Sequence, residues 1–252
     1  MVLSLGRWVG KVAVVSGASA GIGAAIVTEL VKNGLVVAGL ARRKEKVEEL
    51  SKKLSGEKGK LVAVQCDVTK ESDIVTAFEY VLKNLGPTHI LVNNAGLAQA
   101  SSLIDGDTQA WKRVLDTNVL GLSIATREAI KQMKANNIDG HVIHINSITG
   151  HKVVNFPGAS VYPASKYAVT ALAETLRHEI NSQNLKIKIT SVSPGYVETE
   201  FIEVFSGKTA KDLGLTQSGL KAEDVADAVV YALSTPPHVN VSEVTVQIIG
   251  EA

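Results

Sequence analysis

The chain has 252 residues and a formal net charge of +1, from 26 basic and 25 acidic side chains interspersed along it, so it offers no basic face for nucleic acid or an anionic membrane. A single cysteine, Cys66, excludes an internal disulfide and suits a reducing compartment. The first ten residues carry one charge and no long apolar run, unlike a signal peptide, and no stretch approaches the roughly 20 apolar residues of a membrane span; the expectation is a soluble, cytoplasmic protein.

Short runs rich in Val and Ile, without strict alternation, predict strands at 11–16, 35–40, 61–66, 89–93, 141–146, 187–193 and 244–249. Near-continuous apolar runs suit strands buried on both faces, as in parallel sheets. Amphipathic stretches of helical length lie between them, at 22–32, 47–54, 72–85, 111–134, 162–181 and 222–233. Strand alternates with helix from near residue 11 to the end, with no internal linker, repeat or low-complexity run. The pattern predicts one domain over 1–252, an α/β fold of the Rossmann type with a doubly wound parallel sheet and helices on both faces. The least regular region is 198–221.

The first predicted strand runs into Gly17-Ala18-Ser19-Ala20-Gly21-Ile22-Gly23 and then a helix. Glycines there permit a tight turn and a close backbone approach to a pyrophosphate, while the helix N-terminus offers free N–H groups and a positive dipole end. Gly17, Ser19, Gly21, Ile22 and Gly23 are therefore candidate cofactor-binding residues. The next strand ends Leu40-Ala41-Arg42-Arg43, with Ala41 18 positions beyond Gly23. An NAD site usually places an acid there for the ribose 2′-OH. Two guanidiniums instead suit a 2′-phosphate, which arginine grips with paired hydrogen bonds. The expected cofactor is NADP(H), with Arg42 and Arg43 as its selectors.

With these segments the chain resembles the short-chain dehydrogenase/reductase family over about residues 10–250. The resemblance is carried by an ordered set: Ser16 to Gly23, Cys66-Asp67-Val68, Asn93-Asn94-Ala95-Gly96, Asn118, Ser147, Tyr162-Pro163-Ala164-Ser165-Lys166, and Pro194-Gly195-Tyr196-Val197-Glu198-Thr199. Arg7 to Val15 and Gly39 to Arg43 further resemble a subgroup of farnesol dehydrogenase-like members and animal members numbered 11. That likeness implies isoprenoid alcohols and aldehydes such as farnesol and farnesal, steroids or other ketones as substrates, with NADP(H). Two departures stand out: Ser16 replaces the family's more usual threonine, and Ser147 lies 15 residues before Tyr162, slightly more than the commonest spacing.

Carbonyl reduction needs a hydride on carbon and a proton on oxygen. Tyrosine has an ordinary pKa near 10. Lys166, four residues after Tyr162, projects from the same helix face, where an ammonium would stabilise phenolate and lower that value. Ser147 follows a strand at the sheet's carboxyl end, and its hydroxyl can donate to a substrate oxygen. The catalytic set is thus Asn118, Ser147, Tyr162 and Lys166. The resemblance implies that Lys166 also binds the nicotinamide ribose and that Asn118 holds a water connecting Lys166 to solvent. It further implies that Asp67 and Val68 meet the adenine, that Asn93, Ala95 and Gly96 flank the adenosine ribose, and that Pro194, Gly195, Val197 and Thr199 bind the nicotinamide amide. Asn94 is expected to brace the sheet. Taken singly, Ser147 could be a strand-end cap, Tyr162 a helix-start aromatic and Lys166 a surface charge.

No metal site is expected: His141 and His144, three apart on a strand, face opposite ways, and one cysteine is too few for a zinc alcohol dehydrogenase. Three segments are expected to wall the substrate pocket: 97–99, 153–158 and 201–220. The segment 198–221 carries Phe201, Ile202, Val204, Phe205, Leu213 and Leu215 around Gly207 and Gly214, and reads as a lid over an apolar ligand. Two other readings are a catalytically silent NADP(H)-binding regulator and a homo-oligomer, dimer or tetramer, paired through the helices at 111–134 and 162–181.

Overall fold

The apolar runs become seven strands: β1 (Val12–Ser16), β2 (Val36–Ala41), β3 (Lys60–Gln65), β4 (Thr88–Asn93), β5 (His141–Ile145), β6 (Lys188–Pro194) and β7 (Glu243–Val246). The structure is a computed structural model that describes residues 3–207 and 219–250. All neighbouring strands pair in parallel, in the order β3-β2-β1-β4-β5-β6-β7. The helices are α1 (Gly21–Lys32), α2 (Lys44–Lys53), α3 (Glu71–Asn84), α4 (Thr108–Leu115), α5 (Leu122–Ala135), α6 (Tyr162–Ser182), α7 (Phe201–Ser206) and α8 (Ala222–Ser234).

β1 shows why alternation is absent from the sequence. Ala13 and Val15 join a core under Ile26, Leu30, Val225 and Val229 of α1 and α8. Val12 and Val14 join the opposite core, under Ile74 and Phe78 of α3 and Ile124 and Met133 of α5. Both faces are dry, so both parities must be apolar. The chain runs outward from β1 through β2 to β3, then crosses back to β4 on the other side of β1. Such a switch point opens a crevice at the carboxyl ends of the strands, and every predicted motif lies at that edge.

Two expectations are corrected. The run 244–249 yields only Glu243–Val246, paired with β6 up to its end at Pro194, beyond which Gly195 N donates to Val246 O (2.8 Å). The helix expected at 111–134 starts earlier and is broken. Asp107 caps α4 by accepting from the N–H groups of Gln109 and Ala110. A π-helical turn, Asp116–Gly121, then separates α4 from α5. Gly121 lies so close to Val68 O that a Cβ there would collide with it. Asn118, within this turn, is tied to the strand-exit chain at Leu97. A π turn inside a helix is commonly found at functional sites.

Candidate active site

The turn after β1 is set by close approaches. Gly17 (φ +68°) and Gly21 (φ +52°) occupy the left-handed region that glycine alone enters at little cost. A Cβ on Gly23 would collide with Gly17 O, and one on Gly21 would sit 3.1 Å from Thr199 Cγ2. Asn94 braces this turn as expected, its Nδ2 donating to Ser16 O (2.9 Å) and Gly17 O (3.2 Å). Ser16 Oγ accepts from the N–H groups of Asn94 (3.1 Å) and Ala95 (3.0 Å), so the hydroxyl kept at this position ties the ends of β1 and β4 together. Ala20 precedes α1 in extended backbone and makes no side-chain cap. The first-turn N–H groups, next to Ser19 and Ile22, are thereby left for an anion.

Around this turn lie the other predicted cofactor residues. Arg42 and Arg43 follow β2, both exposed. Arg43 Nη2 lies 3.5 Å from Glu200 Oε2. Asp67 follows β3 and takes the amide (3.1 Å) and hydroxyl (2.8 Å) of Thr69 on Oδ1. Burial pushes its carboxyl up, but those bonds and the Arg42 guanidinium outweigh it and hold it below the usual range. Gly96 leaves room beside Asn118 Oδ1 and Lys166 Nζ, 3.5 and 3.8 Å from where a Cβ would stand. Beyond β6, Val197 pairs with Leu220, and Thr199 lies over Gly21. An uncapped helix start, a cradle that side chains would fill and a pair of guanidiniums fit a dinucleotide with a pyrophosphate and a further phosphate. At Asn93 the side-chain amide is buried, donating to Thr126 Oγ1 (2.9 Å) and lying 3.1 Å from His144 Nδ1. Its side chain faces the core, so only its backbone can border the cleft.

The catalytic candidates converge. Ser147, at the exit of β5, caps the short turn Ile148–Gly150, its Oγ accepting from Thr149 N (3.1 Å) and Thr149 Oγ1 (2.9 Å). The Tyr162 hydroxyl, at the start of α6, lies near the hydroxyls of Ser147 and Thr149. Lys166, one turn on, is buried, and its Nζ donates to Ile145 O (2.9 Å) and lies 5.8 Å from the Tyr162 ring centre. Burial pushes the Tyr162 hydroxyl up to about 12, against the opposing influence of the nearby Ser147 and Thr149 hydroxyls, and pushes Lys166 down to about 8. This reverses the expected direction for Tyr162: the ammonium is aimed at a carbonyl instead of the phenol, and burial disfavours the charge of both groups.

The Asn118 side chain is held by three bonds. Oδ1 accepts from Leu97 N (2.9 Å), and Nδ2 donates to Leu97 O (2.9 Å) and Ser165 Oγ (3.0 Å). Both amide hydrogens are committed, so one lone pair of Oδ1 is all the side chain keeps for a water.

Near Tyr162 the chain just beyond the first expected wall, 97–99, bonds to described parts of the other two. Ala100 N donates to Phe205 O (3.3 Å) and Ser101 N to Gly158 O (3.1 Å). The Phe156 and Phe205 rings are 5.2 Å apart, and Phe201 of α7 packs at 5.6 Å on the Tyr162 ring. Of the segment 198–221, residues 208–218, with Leu213, Gly214 and Leu215, lie outside the described residues. The sequence reading did not single out Thr149, though a hydroxyl two residues after Ser147 was visible, nor the partnership of Glu200 with Arg43, which no local pattern signals. Among the described residues, no group of three His, Cys, Asp or Glu side chains is placed to hold a metal ion, and no helix is long and apolar enough to cross a membrane.

A switch-point crevice with this turn and this Ser-Tyr-Lys cluster defines a nicotinamide-dependent oxidoreductase of the Rossmann type. The short chain dehydrogenase family model matches residues 11–208, and the chain belongs to that family, whose members act on small alcohols and carbonyls. It is 49% identical to the farnesol dehydrogenase of Aedes aegypti over 249 residues, covering 97% of this chain and 98% of the relative. It is 43% identical to dehydrogenase/reductase SDR family member 11 of Homo sapiens over 244 residues, 94% of each chain. Among solved structures, it is similar to an alcohol dehydrogenase from Thermococcus sibiricus complexed with 5-hydroxy-NADP (TM-score 0.84, 26% identity, 96% and 98% of the two chains). It is likewise similar to a closed form of serine dehydrogenase complexed with NADP+ (TM-score 0.84, 30% identity, 96% of each).

Proposed function

We propose that the chain is an NADP(H)-dependent oxidoreductase that interconverts an alcohol and a carbonyl on a small, mostly apolar substrate, with Tyr162 as the acid and base. The observation that carries this reading is the convergence of Ser147 at the exit of β5 with Tyr162 and the buried Lys166 at the start of α6, where the Phe201 ring packs on that of Tyr162. The nicotinamide, when bound, supplies or takes up the hydride. The chain's own residues do the rest. Ser147 donates to the substrate oxygen and fixes it beside Tyr162, which gives or takes the proton. Lys166 keeps a positive charge near the site at neutral pH, and Asn118 holds the π turn and the exit of β4 in register. Arg42 and Arg43, which follow β2 where the chain places no acidic residue of its own, would hold a 2′-phosphate.

Three aromatic rings and no cation at the described pocket wall favour an apolar substrate over a hydroxy acid. The likeness to an insect farnesol dehydrogenase supports an isoprenoid such as farnesol or farnesal, and the likeness to member 11 keeps a steroid or other ketone in play. The segment 198–221, which carries Phe201 and Phe205, is read as the lid of this pocket within a single domain. Leu115, Leu120 and Tyr167 are exposed on α4, the π turn and α6. Beside them a groove of about 350 Å³ runs between α5 and α6, lined by Leu122, Ile130, Leu172, Leu176 and Ile180. These surfaces support pairing of two copies through those helices. The lone, buried Cys66 suits a cytoplasmic setting.

The test is a fluorescence titration with NADPH and NADH, followed by a panel of farnesal, a ketosteroid and short aliphatic ketones. Tighter NADPH binding with turnover of one class is expected. Binding without turnover of the panel or of the matching alcohols would favour a silent regulator, and preferred NADH binding would overturn the role given to Arg42 and Arg43.

A further inference from the structure

Three hydroxyls meet at the reaction site, and the assigned chemistry uses two. Ser147 Oγ has one proton to give and two lone pairs. Both lone pairs are taken by one neighbour, the amide of Thr149 at 3.1 Å and its hydroxyl at 2.9 Å. Thr149 is buried, so water does not compete for that bond. The Thr149 hydroxyl also lies near that of Tyr162.

We propose that Thr149 is a positioning residue for the reaction: by filling both lone pairs of Ser147 Oγ it leaves that hydroxyl able only to donate, toward Tyr162 or a substrate oxygen. The inference rests on the roles proposed above for Ser147 and Tyr162. Without the Thr149 hydroxyl, Ser147 has a free lone pair, and the Tyr162 proton settles on it. The acid is then spent on its own partner, and the substrate oxygen keeps only the Ser147 hydroxyl as a donor. In the opposite direction, an ionised Tyr162 loses one of the two hydroxyls that can turn toward it, so its ionised form is less favoured. Among the described residues, Tyr162 is faced by Ser147 and Thr149 from the exit of β5, the Lys166 ammonium on α6 and the uncharged Phe201 ring from α7.

The test compares Thr149→Val, Thr149→Ser and Tyr162→Phe with the parent enzyme. The five tyrosines, labelled with carbon-13 at the phenol carbon, are titrated by NMR, Tyr162 being assigned by its loss in Tyr162→Phe. This readout needs no substrate. In Thr149→Val the Tyr162 midpoint moves to higher pH, while NADPH binding is unchanged. For farnesol with NADP+, kcat falls about tenfold or more, as for loss of one aligned proton-transfer partner, with little change in KM. Thr149→Ser restores both. A parent-like midpoint and kcat in Thr149→Val overturns the proposal, and so does a serine variant as impaired as the valine one, since packing of the methyl would then be the cause. Turnover by Tyr162→Phe at the parent rate removes the underlying reading and this inference with it, whereas a silent Tyr162→Phe beside a normal Thr149→Val removes the inference alone. Thr149→Ala carries the same prediction should the valine variant fail to bind NADPH.

Discussion

At the cofactor end of the cleft, the chain is held by its own backbone. Gly17 and Gly21 adopt positive φ, Gly23 lies against Gly17 O, and the amides of Asn94 and Ala95 converge on one serine hydroxyl. At the substrate end, the chain is held by side-chain rings, Phe156 on Phe205 and Phe201 on Tyr162, with single backbone bonds linking Ala100 to Phe205 and Ser101 to Gly158. The first kind of contact fixes position to a fraction of an ångström and accepts almost no other residue. The second conserves volume and apolarity, tolerates exchange and can adapt to different ligands. One fold can thus keep its cofactor while its substrate changes.

Acid should break the first region from behind. His144, on β5, lies against Asn93 where β4 ends, and burial holds it down to about 3. His141, on the same strand, is also held well below its ordinary value by burial. The folded values lie below the unfolded value near 6.5, so the unfolded chain takes up protons first as pH falls. The stability these neutral imidazoles allow is present above about pH 6.5 and is lost on the way toward 3. One such group gives a slope of up to about 1.4 kcal/mol per pH unit in that window. Urea unfolding across pH 7 to 4 measures it. Replacement by His144→Gln should flatten the slope, and an unchanged slope would show that other groups govern acid stability.

The glycine turn gives the next largest effect. Gly23→Ala places a methyl against Gly17 O, a backbone atom that cannot swing aside. Forced overpacking of this kind costs about 1–3 kcal/mol of stability. Displacement of the α1 start should forfeit two charge-assisted phosphate bonds, roughly a hundredfold in NADPH affinity. Fluorescence titration and thermal melts read both. NADPH affinity at the parent level in Gly23→Ala would mean that the cofactor does not rest on this turn.

This difference between the two ends also governs what the sequence could reveal. Strands and glycine turn were legible because their causes are local: Val12 to Val15 must be apolar on both parities, and only glycine suits φ of +68° at position 17. Ser147, Tyr162 and Lys166 were legible as an ordered set. The π turn at Asn118 was not, since its causes are a carbonyl at Val68 and a backbone segment at Leu97, both distant in sequence. The Tyr162 direction was missed because burial is a property of the packed site, and the spacing to Lys166 does not report it. The inward turn of the Asn93 side chain was likewise not legible, because a strand's last residue can face either layer and the partners that draw it to the core, Thr126 and His144, are distant in sequence.

The substrate end should respond more gently. Phe205→Ala removes the ring packed on Phe156 and opens space beside Gly158, whose Cβ position lies 3.6 Å from the Phe205 ring. An apolar ligand should lose roughly 1–3 kcal/mol of contact, raising its KM about tenfold or more, while NADPH affinity stays as it was. Steady-state kinetics with farnesal and a shorter aldehyde make the comparison. A loss confined to the longer aldehyde would sharpen the division between the two ends, and an equal loss of NADPH affinity would erase it.

The smallest effect tests the one described ion pair that joins the two regions. Arg43 Nη2 lies 3.5 Å from Glu200 Oε2, and Glu200 immediately precedes α7, which carries Phe201 and Phe205. Both side chains are half exposed or more, so the pair itself is weak and screened by salt. Its interest is competition: a carboxylate occupies a guanidinium that a 2′-phosphate would otherwise engage alone. Glu200→Gln removes that competitor, and the NADPH Kd should tighten by about two- to threefold at low salt, an effect on the scale of one exposed pair. The gain should vanish at high ionic strength, and the NADH Kd should not move, because NADH lacks the phosphate. Equal tightening of both cofactors would instead trace the effect to the general negative charge of the cleft rim, and Arg43 would lose its place as a selector.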